Sequence, residues 1–181
     1  MIKLIGLTGK ARGGKDVVGD HIRDMCGFST YAMAAPVKEA CRVIFGWDYR
    51  HLHGHLKDVL DPIYNVTPRA AIQKLGTEFG RNMINNDIWT IKAENEIKVR
   101  SSLVITDIRY NNEAEIILEN GGIIIDIKRC RGGRALISGV ENHSSEKGIN
   151  PNLITDTVTN NGSLVDLYKK IDDIILNYKE V

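Results

Sequence analysis

The sequence lacks the features that define membrane-spanning, disulfide-rich and strongly basic proteins. No apolar run approaches the roughly 20 residues that cross a bilayer, and Lys3 lies in the first apolar run, unlike the long apolar core of a secretory signal. The formal net charge is only +1, so no general attraction to nucleic acids or membrane surfaces is expected. The three cysteines, Cys26, Cys41 and Cys130, show neither disulfide nor metal-site spacing. These absences predict a cytoplasmic protein with reduced thiols and without nucleic-acid or membrane partners.

Apolar runs alternate with helical patterns along all 181 residues, and no repeat, linker or low-complexity segment separates them. Five runs are candidate strands: Lys3–Leu7, Phe28–Ala32, Ser102–Thr106, Gly122–Lys128 and Thr157–Asn160. Six segments have helical patterns: Lys15–Cys26, Pro36–Phe45, Thr67–Arg81, Asp87–Val99, Asn112–Asn120 and Ser163–Tyr178. The alternation predicts a single α/β domain built on a doubly wound parallel sheet, whose ligands bind beyond the carboxyl ends of the strands.

The first candidate strand leads into a glycine-rich loop with the sequence Gly9-Lys10-Ala11-Arg12-Gly13-Gly14-Lys15-Asp16. Its spacing follows the phosphate-binding pattern G-x-x-x-x-G-K-[ST] except at the last position. Backbone N–H groups of such a loop surround a chain of phosphates at the positive end of a helix. We therefore expect the loop to bind phosphates, with Lys15 reaching the terminal ones. The alternative is a glycine-rich turn without a ligand.

Two carboxylates are candidates for a magnesium site beside this loop. Asp16 stands where the pattern has a hydroxyl residue, and its oxygens are hard ligands that Mg²⁺ accepts directly or through water. Asp107 ends an apolar strand, a position that supports the Mg²⁺ shell in phosphate-loop enzymes, although Asp also commonly begins a turn. Arg109 follows and either binds substrate phosphate or pairs with an acid. Asn112 is the expected cap of the next helix.

A basic, glycine-containing loop follows the fourth candidate strand and carries Arg129, Arg131 and Arg134. Phosphoryl transfer spreads negative charge over the moving group, so a mobile lid bearing arginines would supply positive charge and exclude water. We take Arg131 and Arg134 as candidate catalytic residues, although the sequence does not rank the three arginines. The alternative is a solvated basic loop.

Several segments resemble the bacteriophage deoxynucleoside monophosphate kinases, a family of the phosphate-loop nucleoside monophosphate kinase superfamily. Residues 9–16 are similar to the family's G-K-x-x-S-G-K-D loop, and residues 67–81 resemble T-P-R-x-x-L-Q-x-L-G-T-E-x-x-R, the most specific motif. Residues 87–89, 107–114 and 143–146 are similar to the motifs D-x-W, D-x-R-F-x-N-E-A and H-x-S-E. Residues 156–167, with Asn160-Asn161-Gly162, resemble the closing motif D-x-x-x-x-N-x-G-x-x-x-x-L with one residue fewer between the Asp and the Asn. The resemblance thus covers nearly the whole chain. The sequence departs from the family at Gly13, Val17 and Ile72, where Ser, Thr and Leu are usual.

The resemblance implies a fold, an activity and a division of the chain. The fold is adenylate-kinase-like, with a core of residues 1–35, 100–128 and 152–181, a helical monophosphate-binding insert of about 36–99 and a short lid of about 129–151. The activity is transfer of the γ-phosphoryl group of ATP, with Mg²⁺, to a deoxynucleoside 5′-monophosphate. A phage-encoded enzyme of this kind would act in the host cytoplasm. Whether the chain forms a homodimer is left open.

The resemblance also implies that Lys38, Arg42 and Arg69 bind the phosphate of the acceptor nucleotide. The residues offer independent support, because Lys38 and Arg42 are four apart on one helical face. Arg69 opens a helix, whose dipole already favours an anion. Two or three cations that converge on a dianion are what binding of a monophosphate requires. Ordinary surface charge remains the alternative for each of them.

Three further residues have candidate nucleotide contacts. Gln73 could bind a base edge, since an amide both donates and accepts, or it is a surface amide of the helix. Trp89 either stacks on a base or packs in the core. Asn161 lies in the Asn160-Asn161-Gly162 segment, which falls where related kinases hold the adenine of ATP.

For a kinase we expect direct in-line transfer, because the acceptor phosphate oxygen is already a nucleophile and needs no Ser–His or Cys–His activation. Two other functions remain open. Dephospho-coenzyme A kinases have a similar final motif, but they normally carry Ser or Thr at the position of Asp16 and lack the segment that resembles residues 67–81. The other alternative is a non-catalytic nucleotide-binding module whose basic loop contacts DNA, and the near-neutral net charge argues against it.

Overall fold

The computed structural model of the chain describes residues 2–10, 13–129 and 147–178. The strands are Leu4–Thr8 (β1), Ser29–Ala32 (β2), Leu103–Ile108 (β3), Ile123–Lys128 (β4) and Asp156–Thr159 (β5). They form one sheet in the order β2-β3-β1-β4-β5, and every neighbouring pair is parallel. Each strand lies within two residues of its expected bounds, so the parallel sheet predicted from the sequence is confirmed.

The α-helices of the described residues are α1 (Lys15–Cys26), α2 (Ala35–Phe45), α3 (Tyr49–Leu52), α4 (Pro68–Gln73), α5 (Ile88–Val99), α6 (Asn111–Glu119) and α7 (Leu164–Asn177). A π-helical segment spans Lys74–Ile84, and 3₁₀ turns span His55–Asp58 and Pro151–Leu153. The sequence analysis predicts neither α3 nor the 3₁₀ turns, because elements of three or four residues leave no periodic pattern. None of the helices described here has the length and apolar character that a membrane crossing requires.

The chain folds into two compact units, residues 1–32 with 90–181, and residues 33–89. In the first unit, the sheet is covered by helices on both faces. One face carries Ile5 and Leu7 of β1, which are fully buried in a cluster with residues of α1 and α7 such as Ile22 and Ile171. On the other face β1 has Gly6, where an added Cβ would lie 2.7 Å from Cδ1 of Ile117 in α6. The sheet is therefore doubly wound, as expected.

The second unit, residues 33–89, has a small core of its own. Cys41, Trp47, Leu52 and Ala71 are buried there, and the indole N–H of Trp47 donates to Oδ2 of Asp61 at 2.7 Å. Burial raises the pKa of the Cys41 thiol to about 11, which favours the neutral form of that side chain. These helices thus form an independent packing unit inserted between β2 and β3.

The helix expected over residues 67–81 is confirmed as a continuous helical stretch, but its second half is π-helical and not α-helical. Its start is confirmed, since Thr67 caps α4 by accepting the N–H of Ala70 at 3.2 Å. Beyond Gln73 the backbone widens into the π-helical segment. There the indole N–H of Trp89 donates to the carbonyl of Gly76 at 2.7 Å, and its ring occupies the space of a Cβ at Gly80. The apolar periodicity alone does not reveal this wider geometry.

Candidate active site

The glycine-rich loop lies between the carboxyl end of β1 and the start of α1. Gly9 has a left-handed φ of 129°, and a Cβ there would lie 2.4 Å from the carbonyl oxygen of Ile127 in β4. Gly14 caps α1 with a φ of 109°, and a Cβ there would lie 2.6 Å from Nδ2 of Asn160. Both positions therefore require glycine. The backbone closes on itself through the N–H of Gly13, which donates to the carbonyl of Lys10 at 3.1 Å.

Lys15 is the first residue of α1, and only 6% of its surface is exposed. Its Nζ donates to the carbonyl of Gly9 at 2.7 Å and to the carbonyl of Lys10 at 3.0 Å. The ammonium group therefore lies over the loop. Three donor hydrogens let it contact anionic oxygens from the same place.

Asp16 lies in the first turn of α1 and is exposed. The positive end of the helix dipole stabilises its carboxylate. Asp107 lies at the end of β3, which pairs with β1, so the two acids belong to the same carboxyl edge of the sheet. Carboxylate oxygens suit Mg²⁺, which proteins usually bind with one or two carboxylates together with substrate phosphates. Among the described residues, no group of three or more His, Cys, Asp or Glu side chains is arranged to hold a metal ion.

Asp107 occupies a β-bulge. In the pairing of β1 with β3, Gly6 lies opposite Ile105 but Thr8 lies opposite Ile108, so β3 carries one extra residue. Asp107 has a φ of 65°, in the left-handed region that few residues other than glycine, Asn and Asp adopt. The hydroxyl of Thr8 donates to the carbonyl of Ile108 at 2.9 Å. Strained backbone of this kind concentrates at functional sites.

Glu113, not Asn112, supports the start of α6, so the expected cap is wrong. The helix begins at Asn111, and the buried carboxylate of Glu113 accepts the N–H groups of Arg109 at 2.7 Å and Tyr110 at 3.2 Å. Glu in the third helical position is the signal of a capping box, which the sequence contained. This carboxylate fixes the backbone from which the Arg109 side chain leaves the sheet edge.

The segment after β5 contacts the glycine-rich loop through Asn160, which the sequence analysis names only as part of the candidate adenine segment. Nδ2 of Asn160 donates to the carbonyl of Gly13 at 2.8 Å, and the backbone N–H of Asn160 donates to the carbonyl of Lys128 at 2.7 Å. The neighbouring Asn161, the expected nucleotide contact, is exposed. The signal for Asn160 was its place directly after a parallel strand, at the edge where ligands bind.

The candidate acceptor residues lie in the second unit and already have partners there. Arg69 forms an ion pair with Asp58, and Arg42 forms one with Glu39 at 2.6 Å. The hydrogen bond from Arg42 lowers the pKa of the Glu39 carboxyl. Nζ of Lys38 lies 3.4 Å from Nδ1 of His53.

Two other expected substrate contacts also lie on helical parts of the second unit. Gln73 is half-buried at the end of α4. Trp89 is half-buried and packs against the π-helical segment, as described above. Three expected site residues, Arg12, Arg131 and Arg134, lie outside the described residues.

The family profile and the curated relatives that match this chain carry the same description. The family profile described as deoxynucleotide monophosphate kinase matches residues 48–171. A putative deoxynucleotide monophosphate kinase of Acanthamoeba polyphaga mimivirus is 27% identical over 195 aligned positions, which cover 98% of each chain. A deoxynucleoside-5′-monophosphate kinase of Escherichia phage T5 is 25% identical and covers 88% of this chain and 90% of its own length. Among solved structures, a shikimate kinase from Acinetobacter baumannii has a TM-score of 0.54 at 17% identity, with 99% of this chain and 96% of that chain covered. This last likeness shows the fold.

Proposed function

The chain belongs to the deoxynucleotide monophosphate kinase family, and from that membership we propose that it transfers the terminal phosphoryl group of ATP to the 5′-phosphate of a deoxynucleoside monophosphate. The observation that carries the proposal is the glycine-rich loop, with Lys15 buried over it and two glycines in left-handed conformations. Such a loop, at the amino end of a helix, presents backbone N–H groups to phosphates.

Catalysis in this proposal is positioning and charge neutralisation. The acceptor phosphate oxygen is anionic at neutral pH and attacks in line, so no side chain has to remove a proton from it. The loop N–H groups orient the donor phosphates, and Lys15 neutralises charge on the terminal ones. Asp16 and Asp107 would hold Mg²⁺, which when bound neutralises the charge of the donor phosphates.

The acceptor nucleotide is proposed to bind to the second unit, through the phosphate contacts Lys38, Arg42 and Arg69. Arg69 supports this role, because Asp58 binds only its Nε and Nη2. A planar guanidinium has five donor hydrogens, so the Arg69–Asp58 pair leaves donors for phosphate oxygens. Gln73 and Trp89 are proposed to contact the base.

In the first unit, Arg109 is proposed to bind substrate phosphate and Asn161 to contact the adenine of ATP. In terms of the chain, residues 36–99 would be the monophosphate-binding insert and residues 129–151 the lid, with Arg131 and Arg134 as its catalytic residues. The remaining segments would form the core. The substrates are then small free nucleotides.

A panel assay tests the proposal. The full-length protein is incubated with ATP, Mg²⁺ and one acceptor at a time, and ADP is measured. The acceptors are each deoxynucleoside monophosphate, each ribonucleoside monophosphate and dephospho-coenzyme A. We expect ADP with at least one deoxynucleotide, and a rate lower by at least about 100-fold for Lys15→Met.

Thermal unfolding of Lys15→Met establishes that the variant is folded. Turnover of dephospho-coenzyme A alone would move the assignment to another kinase of this fold. ATP binding without ADP formation from any acceptor would favour a non-catalytic nucleotide-binding module. Wild-type activity in the Lys15→Met variant would show that the site is placed wrongly.

A further inference from the structure

We propose that Asn160 is a positioning residue for the phosphate loop. Through Asn160, the segment after β5 holds the loop in the conformation that binds ATP. The inference rests on the proposed function only in that the loop binds the phosphates of ATP. It concerns a side chain from the far end of the sequence, 147 residues from its partner in the loop.

The Asn160 side chain is fixed from two directions. Its backbone N–H donates to the carbonyl of Lys128 at the end of β4, at 2.7 Å. Its Nδ2 then donates to the carbonyl of Gly13 at 2.8 Å, and the residue is half-buried. The amide group is therefore presented to the loop from the sheet, whose strand β4 also contacts Gly9.

The Gly13 carbonyl controls the direction of a loop N–H group. Carbonyl and N–H of one trans peptide point in opposite directions, because the peptide is planar. When Asn160 binds the carbonyl of Gly13, the N–H of Gly14 in the same peptide must point away from Asn160. Gly14 precedes Lys15 at the start of α1, where free N–H groups bind anions.

The Asn160 side chain also packs closely beside Gly14. A Cβ at Gly14 would lie 2.6 Å from Nδ2 of Asn160 and 3.8 Å from Cδ2 of Leu167. The amide thus fills the space beside Gly14 that a side chain would take in another sequence. The side chain of Asn160 therefore fits beside position 14 only because that residue is glycine. The hydrogen bond from Asn160 to the carbonyl of Gly13 limits rotation of the peptide between Gly13 and Gly14.

Loss of this bond should weaken ATP binding more than it weakens acceptor binding. One hydrogen bond that holds a flexible glycine peptide corresponds to about a threefold to tenfold effect on affinity. Asn160→Ala removes the donor. Asn160→Asp keeps the shape but replaces the donor with a carboxylate, which repels both the Gly13 carbonyl and the phosphates, so we expect a larger effect from it.

The matched control is Asn120. Its Nδ2 donates to the carbonyl of Ile116 at 2.7 Å, a bond of the same chemistry at the carboxyl end of α6, and Asn120 precedes β4 at the opposite edge of the sheet. Asn120→Ala should bind ATP like the wild type. If the loss of any amide-to-carbonyl hydrogen bond lowered ATP affinity, Asn120→Ala would lower it as well.

The experiment measures ATP affinity by titration calorimetry without an acceptor, and then the KM values for ATP and for the best deoxynucleotide. We expect Asn160→Ala to raise Kd and KM for ATP about threefold to tenfold, with the deoxynucleotide KM unchanged. Unchanged ATP affinity in both Asn160 variants would overturn the inference, and so would an equal rise in both KM values. If Asn160→Ala does not fold, Asn160→Ser, which removes the amide donor and adds no charge, decides by the same measurements.

The two proposals fail separately in this design. If the wild type phosphorylates deoxynucleotides and the Asn160 variants bind ATP normally, only the role of Asn160 is lost. If the wild type phosphorylates no acceptor but Asn160→Ala weakens ATP binding, the role of Asn160 stands and the proposed reaction does not.

Discussion

Asp58 binds Arg69 along one edge of its guanidinium. Nε of Arg69 donates to Oδ1 of Asp58 at 2.5 Å and Nη2 donates to Oδ2 at 3.2 Å, and each side chain is less than a quarter exposed. A two-point contact fixes the plane of the guanidinium, which a single bond cannot do. Asp58 therefore sets the direction in which the remaining donors of Arg69 point.

Structural and binding roles of Arg69 can be separated by substitution. Arg69→Met should lower the free energy of unfolding by about 1–3 kcal/mol, because the half-buried Asp58 carboxylate loses its guanidinium. It should also raise the deoxynucleotide KM about tenfold or more and leave the ATP KM unchanged. The double variant Arg69→Met/Asp58→Asn should recover the free energy of unfolding, but its deoxynucleotide KM should stay raised. Denaturant unfolding measures the stability of each variant, and steady-state kinetics measure its KM values. A wild-type deoxynucleotide KM in the double variant would exclude Arg69 from the acceptor site.

The Arg42–Glu39 pair provides the comparison for stability. More than half of each side chain is exposed, so screening by solvent limits what the ion pair contributes. We expect Glu39→Gln to change the free energy of unfolding much less than Arg69→Met does. A loss as large as that of Arg69→Met would mean that exposure does not distinguish the two pairs.

Asp107 should matter for magnesium and not for stability. Asparagine also tolerates the left-handed conformation, so Asp107→Asn should leave the free energy of unfolding within about 0.5 kcal/mol of the wild type. The Mg²⁺ concentration for half-maximal activity should rise about tenfold, since one carboxylate ligand or water partner is lost. Magnesium titrations of the rate measure this, with the exposed Asp24→Asn on α1 as the control. An unchanged magnesium curve would count against Asp107 as part of the metal site.

Glu113 should contribute more to stability than an exposed helix-capping carboxylate. Glu113→Ala leaves the N–H groups of Arg109 and Tyr110 without their buried acceptor, which should cost about 2–3 kcal/mol. Asp166 caps α7 in a similar way, but it is exposed to water. Asp166→Ala should therefore lower the free energy of unfolding by less than Glu113→Ala does. Chemical denaturation of both variants tests the difference, and equal losses would contradict it.

Alkaline pH should destabilise the protein through Tyr31. Burial, with a smaller contribution from nearby Glu96, raises the pKa of the Tyr31 phenol from 10.0 to about 12. Below pH 10 both folded and unfolded phenols are protonated, so the free energy of unfolding does not depend on this group. Between pH 10 and 12 the unfolded chain loses the proton first, and stability falls.

The matched variant for this pH effect is Tyr31→Phe, which cannot ionise. The wild type should lose more stability than Tyr31→Phe between pH 9 and 11, as followed by denaturant unfolding. Both proteins share the contribution of Cys41, whose thiol pKa is also raised by burial. If the free energy of unfolding of the two proteins changed with pH in parallel, a raised pKa of Tyr31 would be ruled out.

The sequence predicted the sheet and most helix bounds, because those depend on local apolar patterns. The five strands lie close to their expected ranges and α1 agrees at both ends. The π-helical segment escaped prediction because apolar spacing does not distinguish it from an α-helix, and its contact with Trp89 of the next helix is visible only in the structure. The bulge at Asp107 escaped for a similar reason, since only the pairing with β1 reveals the extra residue.

The candidate site shows the same division between local and distant information. A local pattern identified the glycine-rich loop and Lys15. The contact of Asn160 with Gly13 joins opposite ends of the chain, so no spacing rule could specify it. Spacing on the predicted helix does indicate the Arg42–Glu39 pair, whose members are three residues apart. It does not indicate the Arg69–Asp58 pair, whose members are 11 residues apart and lie on different elements.

The second unit is one unbroken stretch of sequence, since the chain leaves the first unit after Ala32 and returns at Thr90. Among the described residues, the cluster that forms its small core contains side chains of this stretch alone. A gene segment that encodes these residues could therefore be exchanged between relatives as a cassette, while the phosphate loop and Asn160 stay in the recipient. If the second unit binds the acceptor as proposed, recombination at two junctions would alter the choice of acceptor without altering the choice of donor.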